Sequence, residues 1–429
     1  MRIGVISLGC AKNLVDTEHM LGLLTKAGYS IVSDPAQAEI LIVNTCGFIE
    51  PAKQESIDTI LEMAQYKQRG SCKKLVVTGC LSQRYRQELT EAMPEVDIFL
   101  GVREYEKLPG LLDADAPPLC GTVRRVLTTP PYSAYLRIGD GCNNRCAYCA
   151  IPLIRGPLTS VPMEALLSEG QALVESGVTE LTLIAQDTSG YGVDLYGKPM
   201  LTELMDRLTE LNGLHWLRVL YTYPDTVTPA LINRMGSNPK IIRYLDMPLQ
   251  HIDGDVLKRM HRRGTPEHIE SIMAYMQQNA PDFILRTTMM VGFPGETEAA
   301  FERLLDFLRQ HPFDRVGAFA FSPEEGTEAA DMPDQVPEEV KAERLDRLMT
   351  AQQAIAKARN EGRVGTETEV LIEGTDGEHT FGRSYGEAPD VDGRILLPRE
   401  KGLTPGQYVR VKLTEARAYD LLGVRTQAE

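Results

Sequence analysis

The chain contains no run of about 18 or more apolar residues, so no membrane span is expected. Nor does it open on a secretory signal. Met1 to Cys10 is too short an apolar run and lacks a signal's flanks. A cytoplasmic protein, with no membrane partner, is the expectation. Basic residues are also scarce: 45 Lys and Arg stand against 60 Asp and Glu, a net charge of −15. That balance argues against a broad nucleic-acid-binding surface, with RNA contact secondary if it occurs. It leaves room for a basic protein partner, although simple solubility explains the charge as well. The most informative absence concerns cysteine. No cysteine occurs between Ala150 and Glu429.

That gap matters because of the stretch before it, Gly139-Asp140-Gly141-Cys142-Asn143-Asn144-Arg145-Cys146-Ala147-Tyr148-Cys149. Three cysteines at Cys-x3-Cys-x2-Cys form a loop that can wrap a compact metal cluster. A 4Fe–4S cube takes four ligands, usually thiolates. The loop offers three, which leaves one iron open to another ligand. A zinc site would need a fourth Cys or His nearby, and none follows at ligand spacing. Eight cysteines in a cytosolic chain point to metal or catalysis rather than structural disulfides.

At 429 residues, 43% of them hydrophobic, the chain has material for two to four domains. Residues 2–9 read as a buried strand running to Cys10, Glu39–Thr45 as a second ending at Cys46, and Lys74–Gly79 as a third ending at Cys80. Helical patterns lie between them, which implies an open parallel sheet with helices on both faces. Ligands bind at the carboxyl edge of such sheets. A single strand-end cysteine is ordinarily a small buried hydrophobe. Three at equivalent positions favour a shared metal site. Cys72 and Cys120 hold no such position and read as non-ligands.

The Pro/Gly-rich residues 111–133 suit a linker with room for one strand. From Tyr135 to about residue 330, strand-like runs (Glu180–Ala185, Trp216–Tyr221, Tyr244–Met247, Phe283–Val291, Arg315–Phe321) alternate with helical ones. That reads as a TIM-like barrel, complete or partial, with its site at the strand carboxyl ends. A charged helix from Pro337 to about Asn360 follows. The last 65 or so residues hold short strands and Gly turns, a small antiparallel OB-like β-barrel. The expected boundaries are 1–110, a linker 111–133, 134–360 and 361–429.

The Cys142-Cys146-Cys149 loop, with Tyr148 before its last cysteine, resembles the signature of the radical S-adenosylmethionine superfamily. Together with the Cys10, Cys46, Cys80 trio and the terminal small barrel, it resembles the methylthiotransferases across essentially the whole chain. That resemblance implies an α/β N-terminal domain with a second 4Fe–4S cluster on the trio, a radical barrel, and a final TRAM domain. One type in the family modifies an adenosine of transfer RNA. The other, the RimO type, modifies an aspartate of ribosomal protein S twelve. Four stretches resemble the second type: Ser7-Leu8-Gly9-Cys10-Ala11-Lys12-Asn13-Leu14-Val15-Asp16-Thr17-Glu18, Ser322-Pro323-Glu324-Glu325-Gly326-Thr327, Gly382-Arg383-Ser384-Tyr385-Gly386-Glu387-Ala388-Pro389-Asp390-Val391-Asp392-Gly393, and Asp246-Met247-Pro248-Leu249-Gln250-His251, which both types share. The stretch 382–393 discriminates best. Thr17 stands where serine is commoner and keeps the hydroxyl. Residues 361–429 carry 9 Lys and Arg against 13 Asp and Glu, net −4. An RNA-gripping barrel would be basic; an acidic one suits a basic ribosomal protein.

The resemblance implies two 4Fe–4S clusters and S-adenosylmethionine as cofactors. The cluster on Cys142, Cys146 and Cys149 would generate a 5′-deoxyadenosyl radical near the aspartate β-carbon. The other would hold the sulfur to be inserted and methylated. The substrate would be ribosomal protein S twelve, met free or on the small subunit, with a flavodoxin or ferredoxin as electron donor. Tyr148, Gln186, Gly292 and Gly295 are expected to contact S-adenosylmethionine. His251 reads as structural rather than metal-binding. The alternatives are a transfer-RNA methylthiotransferase and a non-catalytic ribosome-associated iron–sulfur binding protein.

Overall fold

The computed structural model describes residues 1–114 and 124–426; Cys120 and the middle of the expected linker lie outside them. The N-terminal sheet is fully parallel. Its strands are β1 (Arg2–Ser7), β2 (Ser30–Ile31), β3 (Ile40–Thr45), β4 (Lys74–Gly79) and β5 (Ile98–Phe99), in the order β2-β1-β3-β4-β5. The apolar runs of β3 and β4 are continuous because both faces are covered. Leu41, Val43, Leu75 and Val77 pack with Ile60, Met63 and Leu89 on one face. Ile40, Ile42 and Val76 pack with Met20, Leu24 and Leu108 on the other. The two-residue edge strands β2 and β5 are too short to leave a sequence pattern.

Next come β6 (Ser133–Arg137), a two-stranded ribbon of β7 (Gly139–Asp140) and β8 (Thr159–Ser160), and then β9 (Glu180–Ile184), β10 (Trp216–Val219), β11 (Tyr244–Asp246), β12 (Ile284–Val291) and β13 (Arg315–Ala320). Apart from the ribbon, these six strands are parallel, in two sheets, β6-β9-β10 and β11-β12-β13. A bridge from Leu217 to Ile241 joins them. The barrel is therefore partial, with six strands, and no pairing of β6 with β13 among the described residues closes it. The helix Glu338–Glu361 packs against its last strand. Arg344, Leu348, Gln352, Ala356 and Asn360, four residues apart, form its buried face. Gln352 donates to the Phe313 carbonyl and Arg315 to Asn360.

The last unit is a closed barrel of β14 (Glu367–Thr375), β15 (His379–Arg383), β16 (Ile395–Pro398), β17 (Tyr408–Ala416) and β18 (Leu421–Arg425), ordered β14-β15-β16-β18-β17. It is not antiparallel throughout, because β16 and β18 pair parallel. A ring of five strands cannot alternate direction all the way round, so at least one neighbouring pair must run the same way.

This barrel sits against the amino-terminal ends of the central strands. The stretch 382–393 runs there as a floor. Arg383 pairs with Glu180 and Glu373, and Arg218 with Glu180, all four side chains largely buried. Glu387 pairs with Arg315 and Arg363. Asp390 accepts from the Tyr135 hydroxyl at 2.8 Å and Asp392 from that of Tyr244 at 2.6 Å. The most type-specific stretch is thus a domain joint. Part of the acidic excess of residues 361–429 is spent on internal arginines, so it is weaker support for a basic partner than its net charge suggests. The described part of the expected linker is also not loose. Arg125 is buried against Glu18, and Thr128 donates to the same carboxylate.

Candidate active site

Each cysteine of the N-terminal trio leaves a sheet strand at its carboxyl end. Cys46 follows β3 directly, and Cys80 follows β4 as the first residue of a short helix. Cys10 comes three residues after β1, immediately before the helix Ala11–Lys26. Gly9 makes the first turn with φ +88°, and a Cβ there would lie 2.9 Å from Cys46 Cβ. Only glycine lets the two strand ends approach this closely. Asn13 donates to the carbonyls of Leu8 and Thr45, tying two of the cysteine turns together. Thr17 accepts from Asn44 and donates to Ser7, so its hydroxyl is in use.

The second trio lies in the loop after β6. Gly141 (φ +72°) turns the chain, and the Cys142 amide donates to Gly156. The Cys149 amide donates to the Cys146 carbonyl, and the Ala147 amide to Met260 across the barrel mouth. All six thiols line one cavity of about 480 Å³ between the sheet edge and the strand carboxyl ends. Burial pushes the Cys80 and Cys149 thiols up to about 12, Cys142 to about 11, and raises Cys46. A metal binding here must displace protons that burial retains.

Among the described residues, no three His, Cys, Asp or Glu side chains converge closely enough to share one metal ion. A polynuclear cluster spreads its ligands over several irons and asks for a wider spacing. Two sets of three soft thiolate donors around one cavity fit iron–sulfur clusters on this ground.

Tyr148 and Gln186 line the cavity, as do Thr222, Tyr223 and Gln250 from other strand ends. Tyr221 (φ +63°) and Gln250 (φ +72°) hold left-handed backbone there, strain of the kind that gathers at functional sites. Gly292 and Gly295 are not brought to the cavity. Their positive φ angles accommodate the side chains of Lys341 and Arg259, with which a Cβ would collide. His251 is fully buried, and burial holds it down at about 4. Its Nδ1 accepts from the Asp253 amide, so it orders a turn. Cys72 is buried in the sheet's apolar layer, away from the cavity.

Three cations line the cavity; Arg155 and Arg262 lie in no motif, and Lys12 lies within the stretch 7–18, where nothing in the sequence gives it a role. Arg155, 3% exposed, donates to Asn13 at 2.6 Å, Asp16 at 2.9 Å and the Cys80 sulfur at 3.7 Å, and through its other nitrogen to Asp140 at 3.0 Å. It stands six residues after Cys149, so one short helix links the two thiol trios. Arg262 donates to the Cys146 sulfur at 3.8 Å and to the Pro248 carbonyl, and lies over the Tyr223 ring. Lys12 is the third. A second clasp lies outside the cavity, where Glu324 pairs with Arg84 at 3.3 Å and Lys53 at 3.0 Å.

Comparison with known proteins agrees with this division of the chain. Residues 2–101 match the model described as Uncharacterized protein family UPF0004, 136–308 the Radical SAM superfamily, and 364–425 the TRAM domain. The chain is similar in fold to the radical S-adenosylmethionine methyltransferase TsrM from Kitasatospora setae, solved with cobalamin and a 4Fe–4S cluster bound. The TM-score is 0.55, at 13% identity, over 74% of this chain and 71% of that one. It is 48% identical to the ribosomal protein uS12 methylthiotransferase RimO of Pelotomaculum thermopropionicum, over 99% of both chains. To the protein of the same name from Geobacter sulfurreducens it is 45% identical, over 98% of both. With likeness of that degree over its whole length, and both thiol trios at one cavity, the chain belongs to the ribosomal protein uS12 methylthiotransferase RimO family.

Proposed function

We propose that this protein methylthiolates the β-carbon of an aspartate in ribosomal protein uS12. One observation carries the reading: two three-cysteine sets, more than sixty residues apart in sequence, line a single cavity. When bound, two 4Fe–4S clusters with S-adenosylmethionine supply one-electron cleavage of the sulfonium and a held sulfur, the chemistry of a methylthio transfer. Cys142, Cys146 and Cys149 would hold the first cluster, and Cys10, Cys46 and Cys80 the second. The chain itself confines the reactants. Ile49, Ile151 and Ile154 give the cavity apolar walls that exclude water. Its volume lies within the roughly 300–1,000 Å³ of pockets that enclose a small ligand. Tyr148 and Gln186, which line the cavity, would contact S-adenosylmethionine. Arg155 donates to the Cys80 sulfur and Arg262 to the Cys146 sulfur, one thiol in each set.

The substrate places the enzyme in the cytoplasm, working with a small one-electron donor such as a flavodoxin or ferredoxin. The working units are 1–110, 134–360 and 361–429. Anaerobically reconstituted protein is expected to hold about eight irons per chain, from two clusters of four. A persistent four would remove the N-terminal cluster. The function is tested by mass spectrometry of uS12 and transfer RNA from a strain lacking the gene. The thiomethyl group should be missing from the ribosomal aspartate alone. Its loss from transfer RNA, with the aspartate still modified, would establish the other type.

A further inference from the structure

Lys12 is a buried cation with no anionic partner. It is 8% exposed, and its ammonium stands 3.2 Å from the centre of the Tyr221 ring. Among the described residues no carboxylate forms an ion pair with it. The nearby acids are committed elsewhere: Asp16 to Arg137 and Arg155, and Asp140 to Arg155 and Arg103. The other two cations on the cavity are engaged as well, Arg155 with those acids and Arg262 with the Pro248 carbonyl and Cys146.

Local structure gives no reason for a lysine here. It is the second residue of the helix Ala11–Lys26, at the positive end of the helix dipole, where a cation is disfavoured. Burying an ammonium without a counter-charge is also unfavourable. The face of an aromatic ring offsets part of that cost. The ring itself is fixed by effort elsewhere. Tyr221 holds φ +63°, and its amide donates to the fully buried Asp246 at 2.8 Å. Lys12 therefore lies on the wall of the cavity that both thiol sets line, where its charge can complete a pair with a ligand.

We propose that Lys12 receives the side-chain carboxylate of the substrate aspartate and so sets the preference for aspartate over its neutral analogue. The proposal rests on the aspartate reading above. A carboxylate on Lys12 fixes the side chain at one end, so that the adjacent β-carbon is presented to the space between the two cysteine sets. In a largely apolar cavity a charge pair of this kind counts for much more than on the surface. An asparagine at the same position would leave the ammonium uncompensated.

The test uses reconstituted holoenzyme and two synthetic peptides. One carries the uS12 target aspartate and the other asparagine in its place. Affinity is read by fluorescence anisotropy, and KM and kcat by mass spectrometry. Lys12→Met should weaken the aspartate peptide by roughly 30-fold or more and leave the asparagine peptide within about threefold. Lys12→Arg, which keeps the charge, should restore much of the preference. Iron content and cluster EPR signals should match the unaltered enzyme. An unchanged aspartate preference in Lys12→Met overturns the proposal. So does an altered cluster signal with unchanged peptide affinity, which would mean that Lys12 serves a cluster. Equal affinity of the unaltered enzyme for both peptides overturns it without any variant, should Lys12→Met not fold. If the unaltered enzyme never modifies the aspartate peptide, the aspartate reading fails instead.

Discussion

Cys146→Ala should lower 5′-deoxyadenosine formation to background, a loss of more than about 100-fold. Groups merely behind a metal ligand cost roughly 10–100-fold when removed, and Cys146 is expected to be a ligand itself. The loop supplies three thiols and the described structure brings no spare one to it. Cys142 and Cys149 are close enough to Cys146 for their charges to interact; two thiols alone cannot cap three irons of a cube. Liquid chromatography of the product after dithionite reduction checks this, and unchanged formation would remove the radical chemistry. Cys80→Ala makes the contrast. It should leave 5′-deoxyadenosine formation measurable, reduce iron from about eight to about four per chain, and abolish the thiomethyl product. A variant that loses both activities would show that the two sets cannot be loaded independently, since Arg155 bridges Cys80 to the helix after Cys149.

The second large effect lies at the opposite end of the barrel, on stability rather than chemistry. Glu180→Gln should destabilise the fold by about 3–5 kcal/mol, because it leaves buried Arg218 without its counter-charge and Arg383 with Glu373 alone. Glu180 is 0% exposed and accepts from Arg383 at 2.7 Å, from Arg218 at 3.4 Å and from Ser133 at 3.0 Å. Burial alone would raise its carboxyl, but Arg383 and Arg218 outweigh that and hold it at about 2. Arg363 and Arg315 overcome burial in the same way and hold Glu387 at about 2. Both folded-state values lie below the ordinary 4.5. The stabilisation is therefore present above pH 4.5 and disappears as pH falls towards 2. Urea midpoints measured across that range check the sign. The difference between Glu180→Gln and the unaltered protein should shrink in acid. A constant or growing difference would mean that the network does not hold the last barrel to the central one.

The grouping of the cysteines was legible because it depends on spacing and on strand ends. Cys142, Cys146 and Cys149 are local in sequence, and Cys10, Cys46 and Cys80 inherit one edge from the rule that parallel strands end together. Gly292 and Gly295 show the limit of such reading. A Gly-rich turn after a strand looks like a ligand loop, but the same positive φ also serves to admit Lys341 and Arg259. The expected antiparallel last barrel differed in one pair because closure of five strands is a property of the ring and of no single strand. β15 and β18 leave little pattern in the sequence, because His379-Thr380-Phe381-Gly382-Arg383 and Leu421-Leu422-Gly423-Val424-Arg425 carry a glycine each and little alternation.

Three of the four stretches that carry the family resemblance proved to be joints. Asn13 and Asp16 meet Arg155, Glu324 meets Arg84 and Lys53, and residues 383–392 floor the central barrel. By itself, the sequence determined the cysteine spacing, the strand–helix order and the family, because thiol spacing and apolar periodicity are local and additive along the chain. Only the tertiary structure decided that both thiol sets face one cavity, that acidic residues of the last barrel turn inward, and that Lys12 has no counter-ion among the described residues. Those facts depend on which charges meet across domain boundaries. Arg155 and Asp16 lie 139 positions apart, and Arg383 and Glu180 lie 203 apart. No pattern along the chain records those meetings.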